Sequence, residues 1–225
     1  MTSMTLTVAM LPAMLGAMGC FDAYSVDPGP WVIDDFEDGD LTPADRNFGP
    51  WSCWALPQPN SCSAVLDSGD QSAFSLAVAF TIASPANGSA NAVLAGVETG
   101  TAARPEDFSR FSEMVFSSKV VPGVSPLPGV TSFTVHLGCS TVPSDDGSVP
   151  RNVFVDQKFD VTTDWQPVEL PITSFGSPPY LPTHPQGGPT ACLRRVDSIN
   201  FQIEPHLPIG QSATSQLDVD GISLR

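Results

Sequence analysis

Residues 75–82 read Ser75-Leu76-Ala77-Val78-Ala79-Phe80-Thr81-Ile82, and every second side chain is large and apolar. A period of two puts Leu76, Val78, Phe80 and Ile82 on one face of an extended chain, the signature of a strand half-buried against a core. The same alternation returns twice. Ser132-Phe133-Thr134-Val135-His136-Leu137 predicts a buried set of Phe133, Val135 and Leu137. Asp197-Ser198-Ile199-Asn200-Phe201-Gln202-Ile203 predicts Ile199, Phe201 and Ile203. Seven further strands are expected at 31–37, 51–56, 92–97, 114–121, 153–159, 165–170 and 215–224. Turn clusters such as Ser84-Pro85-Ala86-Asn87-Gly88 and Ser144-Asp145-Asp146-Gly147 separate them. No segment carries a helical period. About ten short strands in one domain predict an all-β fold, a two-sheet jelly-roll sandwich.

Composition agrees. The chain has 225 residues, with 23 Pro and 18 Gly and a charged fraction of 15%. That length supports one sizeable core, and that balance favours strands joined by turns over long surface helices. The formal net charge is −15, from 24 acidic and 9 basic side chains. Such a surface repels phosphate backbones and anionic headgroups, so nucleic acid is excluded as a partner and cations or neutral ligands are favoured.

Residues 1–19 carry no charged side chain and end in Leu15-Gly16-Ala17-Met18-Gly19-Cys20, after which Asp22, Asp27 and Pro28 follow. The run stops short of the roughly 20 apolar residues that a spanning helix needs. It resembles a lipobox, where a bacterial signal peptide is cut and the new N-terminal cysteine is acylated. Residues 1–19 are therefore expected to be a lipoprotein signal peptide, with Cys20 as the lipidation site, 20–30 as a tether and 31–225 as the folded domain. The membrane would be met through the lipid anchor alone, at the bacterial cell envelope. An ordinary secretory signal is the alternative.

Four cysteines remain: Cys53, Cys62, Cys139 and Cys192. An even number in an exported chain predicts two disulfides. Cys53 and Cys62 flank one short loop and are expected to pair, leaving Cys139 to join Cys192 and tie two distant strands together. A zinc site would favour a C-x-x-C spacing, and none is present.

Five short stretches follow in order: Trp31-Val32-Ile33-Asp34-Asp35-Phe36-Glu37-Asp38-Gly39-Asp40, Gly49-Pro50-Trp51, Phe111-Ser112-Glu113-Met114-Val115-Phe116, Asp164-Trp165-Gln166 with Leu170-Pro171-Ile172-Thr173-Ser174-Phe175, and Leu217-Asp218-Val219-Asp220-Gly221-Ile222. Together they resemble a galactose-binding-like domain, and in particular family 11 carbohydrate-binding modules and the related complex I intermediate-associated domain. The resemblance spans nearly all of 31–225 in order. It implies a jelly roll, a structural calcium and a sugar-binding sheet face.

Alternation places Asp35 with Glu37 on one strand face and Asp218 with Asp220 on another. The resemblance makes the two strands neighbours at the sandwich edge. Converging carboxylates need a cation, and hard oxygen ligands without His or Cys point to Ca²⁺. A solvated acidic edge is the alternative.

For a sugar, the expected parts are an aromatic platform and a few polar side chains on rigid strands. Asn200 with Gln202, His136 with Thr134, and Lys119 with Ser117 each share a face on their strands. Lys119, His136, Asn200 and Gln202 are the polar candidates, with Trp54 and Tyr180 as stacking groups, while Trp51 and Trp165 are assigned to the core. No catalytic residue is marked. The three histidines lack a G-x-S-x-G partner, and no carboxylate pair stands out as a glycosidase dyad. The reading is a non-catalytic, surface-displayed binding module for a polysaccharide or other glycan. A structural or adhesive envelope lipoprotein is the alternative, and a hydrolase the third.

Overall fold

The computed structural model describes residues 29–56, 61–70, 72–83, 94–100, 104–123, 132–147, 153–179, 183–203 and 211–225. The expected signal peptide, Cys20 and Tyr180 lie outside the described residues. The strands are β1 (Trp31–Asp34), β2 (Ser52–Leu56), β3 (Ser61–Asp67), β4 (Ser75–Ala83), β5 (Leu94–Gly100), β6 (Glu113–Pro122), β7 (Ser132–Gly138), β8 (Phe154–Asp160), β9 (Gln166–Pro171), β10 (Ser198–Ile203) and β11 (Ser212–Leu224). A six-residue helix, α1 (Gly188–Leu193), precedes β10.

The strands form two antiparallel sheets. One is ordered β3-β4-β11-β6-β9, with β1 paired to the end of β11, and the other is β2-β5-β10-β7-β8. The predicted alternation is what closes them together. Leu76, Val78, Phe80 and Ile82 of β4 are buried, as are Phe133, Val135 and Leu137 of β7 and Ile199, Phe201 and Ile203 of β10. Phe116 of the first sheet meets Phe159 and Phe201 of the second edge-to-face, with centroids 5.1 and 5.2 Å away. That geometry lets positive ring edges meet negative faces. Each such phenyl, fully buried, contributes roughly 1.5–3 kcal/mol by area removed from water.

The structure amends the expected elements at four places. Strand β1 ends at Asp34 and not at Glu37, because Phe36 turns the chain at φ 58°, and Asp34 Oδ1 accepts the Phe36 N–H at 2.9 Å. Asp35 and Glu37 therefore lie past the strand. Strand β11 is not at an edge: β4 and β6 flank it. Near its end the register with β6 shifts between Asp220 and Ser223, where Gly221 sits at φ 62°, a conformation that costs glycine little. Strand β3 and helix α1 were not foreseen. The inward side of β3 offers only Cys62, Ala64 and Leu66, while Val65 points outward and is half exposed.

Both disulfides form as paired in the sequence reading. Cys53–Cys62 has a Cα separation of 6.0 Å and joins β2 to β3, the edge strands of the two sheets. Cys139–Cys192 has 5.2 Å and ties α1 to the end of β7, so its second partner is a helix and not a distant strand.

Candidate functional site

The outward side of the five-stranded sheet carries two polar rows, fixed by register. One runs Ser52, Glu98, Asn200, His136, Asp156 across β2, β5, β10, β7 and β8. The next runs Trp54, Gly96, Gln202, Thr134, Lys158. Five strands at the usual spacing make each row about 19 Å long. Trp54, His136, Asn200 and Gln202 are thus brought to one face, as period-two alternation requires once their strands pair.

Gly96 shapes the middle of this face. A methyl group added there would stand 3.0 Å from Trp54 Cζ2, 3.0 Å from the Phe201 carbonyl oxygen and 2.6 Å from Asn200 Oδ1. The missing side chain lets the indole of Trp54 reach across its cross-strand partner, close against the sheet, as aromatics do over strand glycines. Asn200 Nδ2 donates to Glu98 Oε2 at 3.4 Å. Trp54 Nε1 and Asn200 Oδ1 are buried with no hydrogen-bond partner among the described residues.

His136 is deeper than a wet sheet face predicts, at 4% exposure. Its ring packs edge-on against Phe154 at 4.5 Å, and neither nitrogen has a partner among the described residues. Burial lowers its pKa from 6.5 to about 4, so the imidazole is neutral at pH 7. It floors the face and does not present a nitrogen at the surface. Glu98, Asp156 and Gly96 belong to the face but were not picked from sequence; the signal that finds them is cross-strand register, which one sequence does not give.

Lys119 is not on this face. It lies on β6 in the opposite sheet, where its Nζ is 3.2 Å from Asp218 Oδ2 and 4.6 Å from the centre of the Trp165 ring. Trp165 is half-buried beneath it, at the outer side of that sheet and not in the core, whereas Trp51 is a core residue as expected.

The four carboxylates expected to bind calcium separate into three environments. Asp218 is fully buried; burial raises its pKa, while Gln216 Nε2, donating at 2.6 Å, and Lys119 oppose the rise. Asp35 is exposed and accepts a local bond from the Glu37 N–H at 3.3 Å. Glu37 and Asp220 reach the same turn: Glu37 Oε1 accepts the Ala73 N–H at 2.9 Å, and Asp220 Oδ2 accepts the Asp70 N–H at 2.9 Å and the Ser72 hydroxyl at 2.6 Å. Asp70 in turn accepts from Ser117 Oγ at 3.0 Å. Among the described residues, no three His, Cys, Asp or Glu side chains gather as a metal-ligand set.

No protein-family model and no curated protein matches the sequence. Solved structures do match. A family 11 carbohydrate-binding module from a cellulosomal cellulase of Clostridium thermocellum aligns at TM-score 0.56 and 18% identity, over 87% of this chain and 94% of that one. A family 11 module from the same organism, in complex with a β-1,3-1,4-mixed-linked tetrasaccharide, gives 0.58 and 18%, over 87% and 94%. The solution structure of CtCBM11 gives 0.57 and 20%, over 89% and 96%. The fold of this chain is the two-sheet jelly-roll sandwich of family 11 carbohydrate-binding modules.

Proposed function

We propose that this protein is a non-catalytic carbohydrate-binding module whose binding face is the outer side of the five-stranded sheet. The observation that carries the reading is the placement of Trp54 across Gly96, in a row with Gln202 and beside Asn200. An indole offers a sugar ring an apolar face, and neighbouring amides exchange hydrogen bonds with its hydroxyls. All four positions are on strands, so little order is lost on binding. The fold's likeness to a module solved with a mixed-linked tetrasaccharide supports the same reading. A glycan array with the purified protein tests it. Retention of a polysaccharide that Trp54→Ala weakens at least tenfold supports the module, and retention of none leaves the structural or adhesive envelope protein.

The proposal includes display from a membrane by lipid on Cys20. Its support is the uncharged run that ends in Leu15-Gly16-Ala17-Met18-Gly19-Cys20. Among the described residues no helix is long and apolar enough to cross a membrane. Cys20→Ser should leave the detergent phase on fractionation, and unchanged partitioning overturns the anchor.

A structural calcium is proposed at the turn bearing Asp70, Ser72 and Ala73, held by Glu37 and Asp220 with main-chain carbonyls. The two carboxylates that converge there are the support; Asp35 and Asp218 have no part in it. Bound calcium would neutralise the pair and raise the melting temperature by mass action. A midpoint that neither calcium nor a chelator moves leaves Glu37 and Asp220 as amide acceptors only.

A further inference from the structure

We propose that Gly96 is the positioning residue of the sugar platform, and that the groups it draws together select a ligand carrying a free hydroxyl at the indole edge. The inference rests on the carbohydrate reading above. Because Gly96 has no side chain, Trp54 Cζ2 and Asn200 Oδ1 both come within 3.0 Å of the place where a methyl group would stand. Two unlike polar atoms are left buried there without partners among the described residues: a donor, Trp54 Nε1, and an acceptor, Asn200 Oδ1. Native structures seldom leave such atoms unpaired, since each has given up its water without gaining a partner. A ligand hydroxyl has the complement of both atoms, since it accepts from an indole N–H and donates to an amide oxygen. An ether oxygen accepts but does not donate, so O-methylation at that position leaves Asn200 Oδ1 unpaired. Hydrogen-bonding sites of this kind reject the analogue that lacks the hydroxyl far more strongly than apolar pockets reject an extra methyl.

Gly96→Ala should displace the indole and the amide together, because the new methyl meets Asn200 Oδ1 at 2.6 Å and the Phe201 carbonyl, which is fixed in the sheet, at 3.0 Å. Trp54→Phe keeps an aromatic face and removes the donor. The probe is β-1,3-1,4-mixed-linked glucan beside its partly O-methylated form, measured by calorimetry, with a thermal melt of each variant. Wild type should prefer the unmodified glucan at least tenfold. Gly96→Ala should weaken binding at least tenfold, and Trp54→Phe should retain its melting temperature, weaken both forms and keep the preference, because a hydroxyl and an ether accept the lost N–H alike. Wild-type binding that neither substitution changes overturns this inference alone. A wild type that binds neither this glucan nor any array glycan overturns the carbohydrate reading, and this inference with it.

Discussion

Trp51 donates its indole N–H to Asp34 Oδ2 at 2.7 Å, and both residues are almost wholly inside the sandwich. The bond holds the end of β1 to the entry of β2. It also sets a titrating group in the core: burial raises the Asp34 pKa from 3.8 to about 6, against the lowering effect of the Phe36 N–H and the Trp51 N–H. Asp38 and Asp35 add a smaller push upward.

Between pH 4 and 6 the folded chain therefore binds a proton at Asp34 more tightly than the unfolded chain does. The sign follows from linkage: this contribution falls as pH rises through that window and is flat above it, by roughly 3 kcal/mol in all. Asp34→Asn should remove the falling component. It also sets an amide NH₂ against an N–H donor, at a pH-independent cost of about 1–3 kcal/mol. Urea unfolding at pH 4 and at pH 6.5 measures both. An identical pH slope in wild type and variant would refute the assignment.

His136 pulls the other way. Its folded pKa lies below its unfolded one, so its contribution is full above pH 6.5 and is lost as pH falls toward 4, again by roughly 3 kcal/mol. His136→Gln should flatten acid destabilisation and make the chain relatively more stable at pH 4.5 than at pH 7. The same urea series reads it, with Asp34→Asn tilting the curve in the opposite sense.

Removing the amine of Lys119 should strand a buried carboxylate. Lys119→Met leaves Asp218 in the sheet with Gln216 but no cation, and breaking such a pair costs about 3 kcal/mol. Asp218→Asn in the same chain should recover most of the loss, because the amide oxygen still accepts from Gln216. A loss under about 1 kcal/mol for Lys119→Met, the range of an exposed pair, would show that water already screens the site.

The two disulfides differ in the loops they close, with sequence separations of 9 and 53. The chain-entropy account gives about 2.7 kcal/mol for the shorter and about 4.2 kcal/mol for the longer. Cys139→Ala with Cys192→Ala should therefore cost more than Cys53→Ala with Cys62→Ala. Equal losses on guanidinium unfolding would mean that native packing, and not loop closure, governs both.

What the sequence disclosed follows from period two. Ile199, Phe201 and Ile203 announce their burial along one strand, and Asn200 and Gln202 are then forced to the opposite side. Alternation is a property of one strand, whereas a site is a property of several. Lys119 alternates as cleanly as His136 does, yet β6 joins the other sheet, and only pairing decides that. The carboxylates failed as a quartet for a related reason. Two consecutive residues, Asp35 and Phe36, left the strand geometry that the pattern assumed, and Asp218 found a cation on its neighbouring strand. Strand β3 was illegible because its inward side offers a single large residue, Leu66, after Cys62 and Ala64, while Val65 stands on the outer side and blurs the period.

The bond between Cys53 and Cys62 also sets how the domain meets a mechanical load. Trp54 is next to Cys53 on β2, an outermost strand whose ladder hydrogen bonds, among the described residues, run to β5. A pull on a polymer seated at Trp54 would by itself peel that strand away one rung at a time. The covalent link passes the force directly into β3 and so into the sheet that contains β11, to which β1 and the start of the described chain are paired. Traction between a chain seated at Trp54 and Trp31 would thus cross the sandwich through a bond and run on through β3, β4 and β11, so that the rungs of the sheet bearing the platform are spared the load.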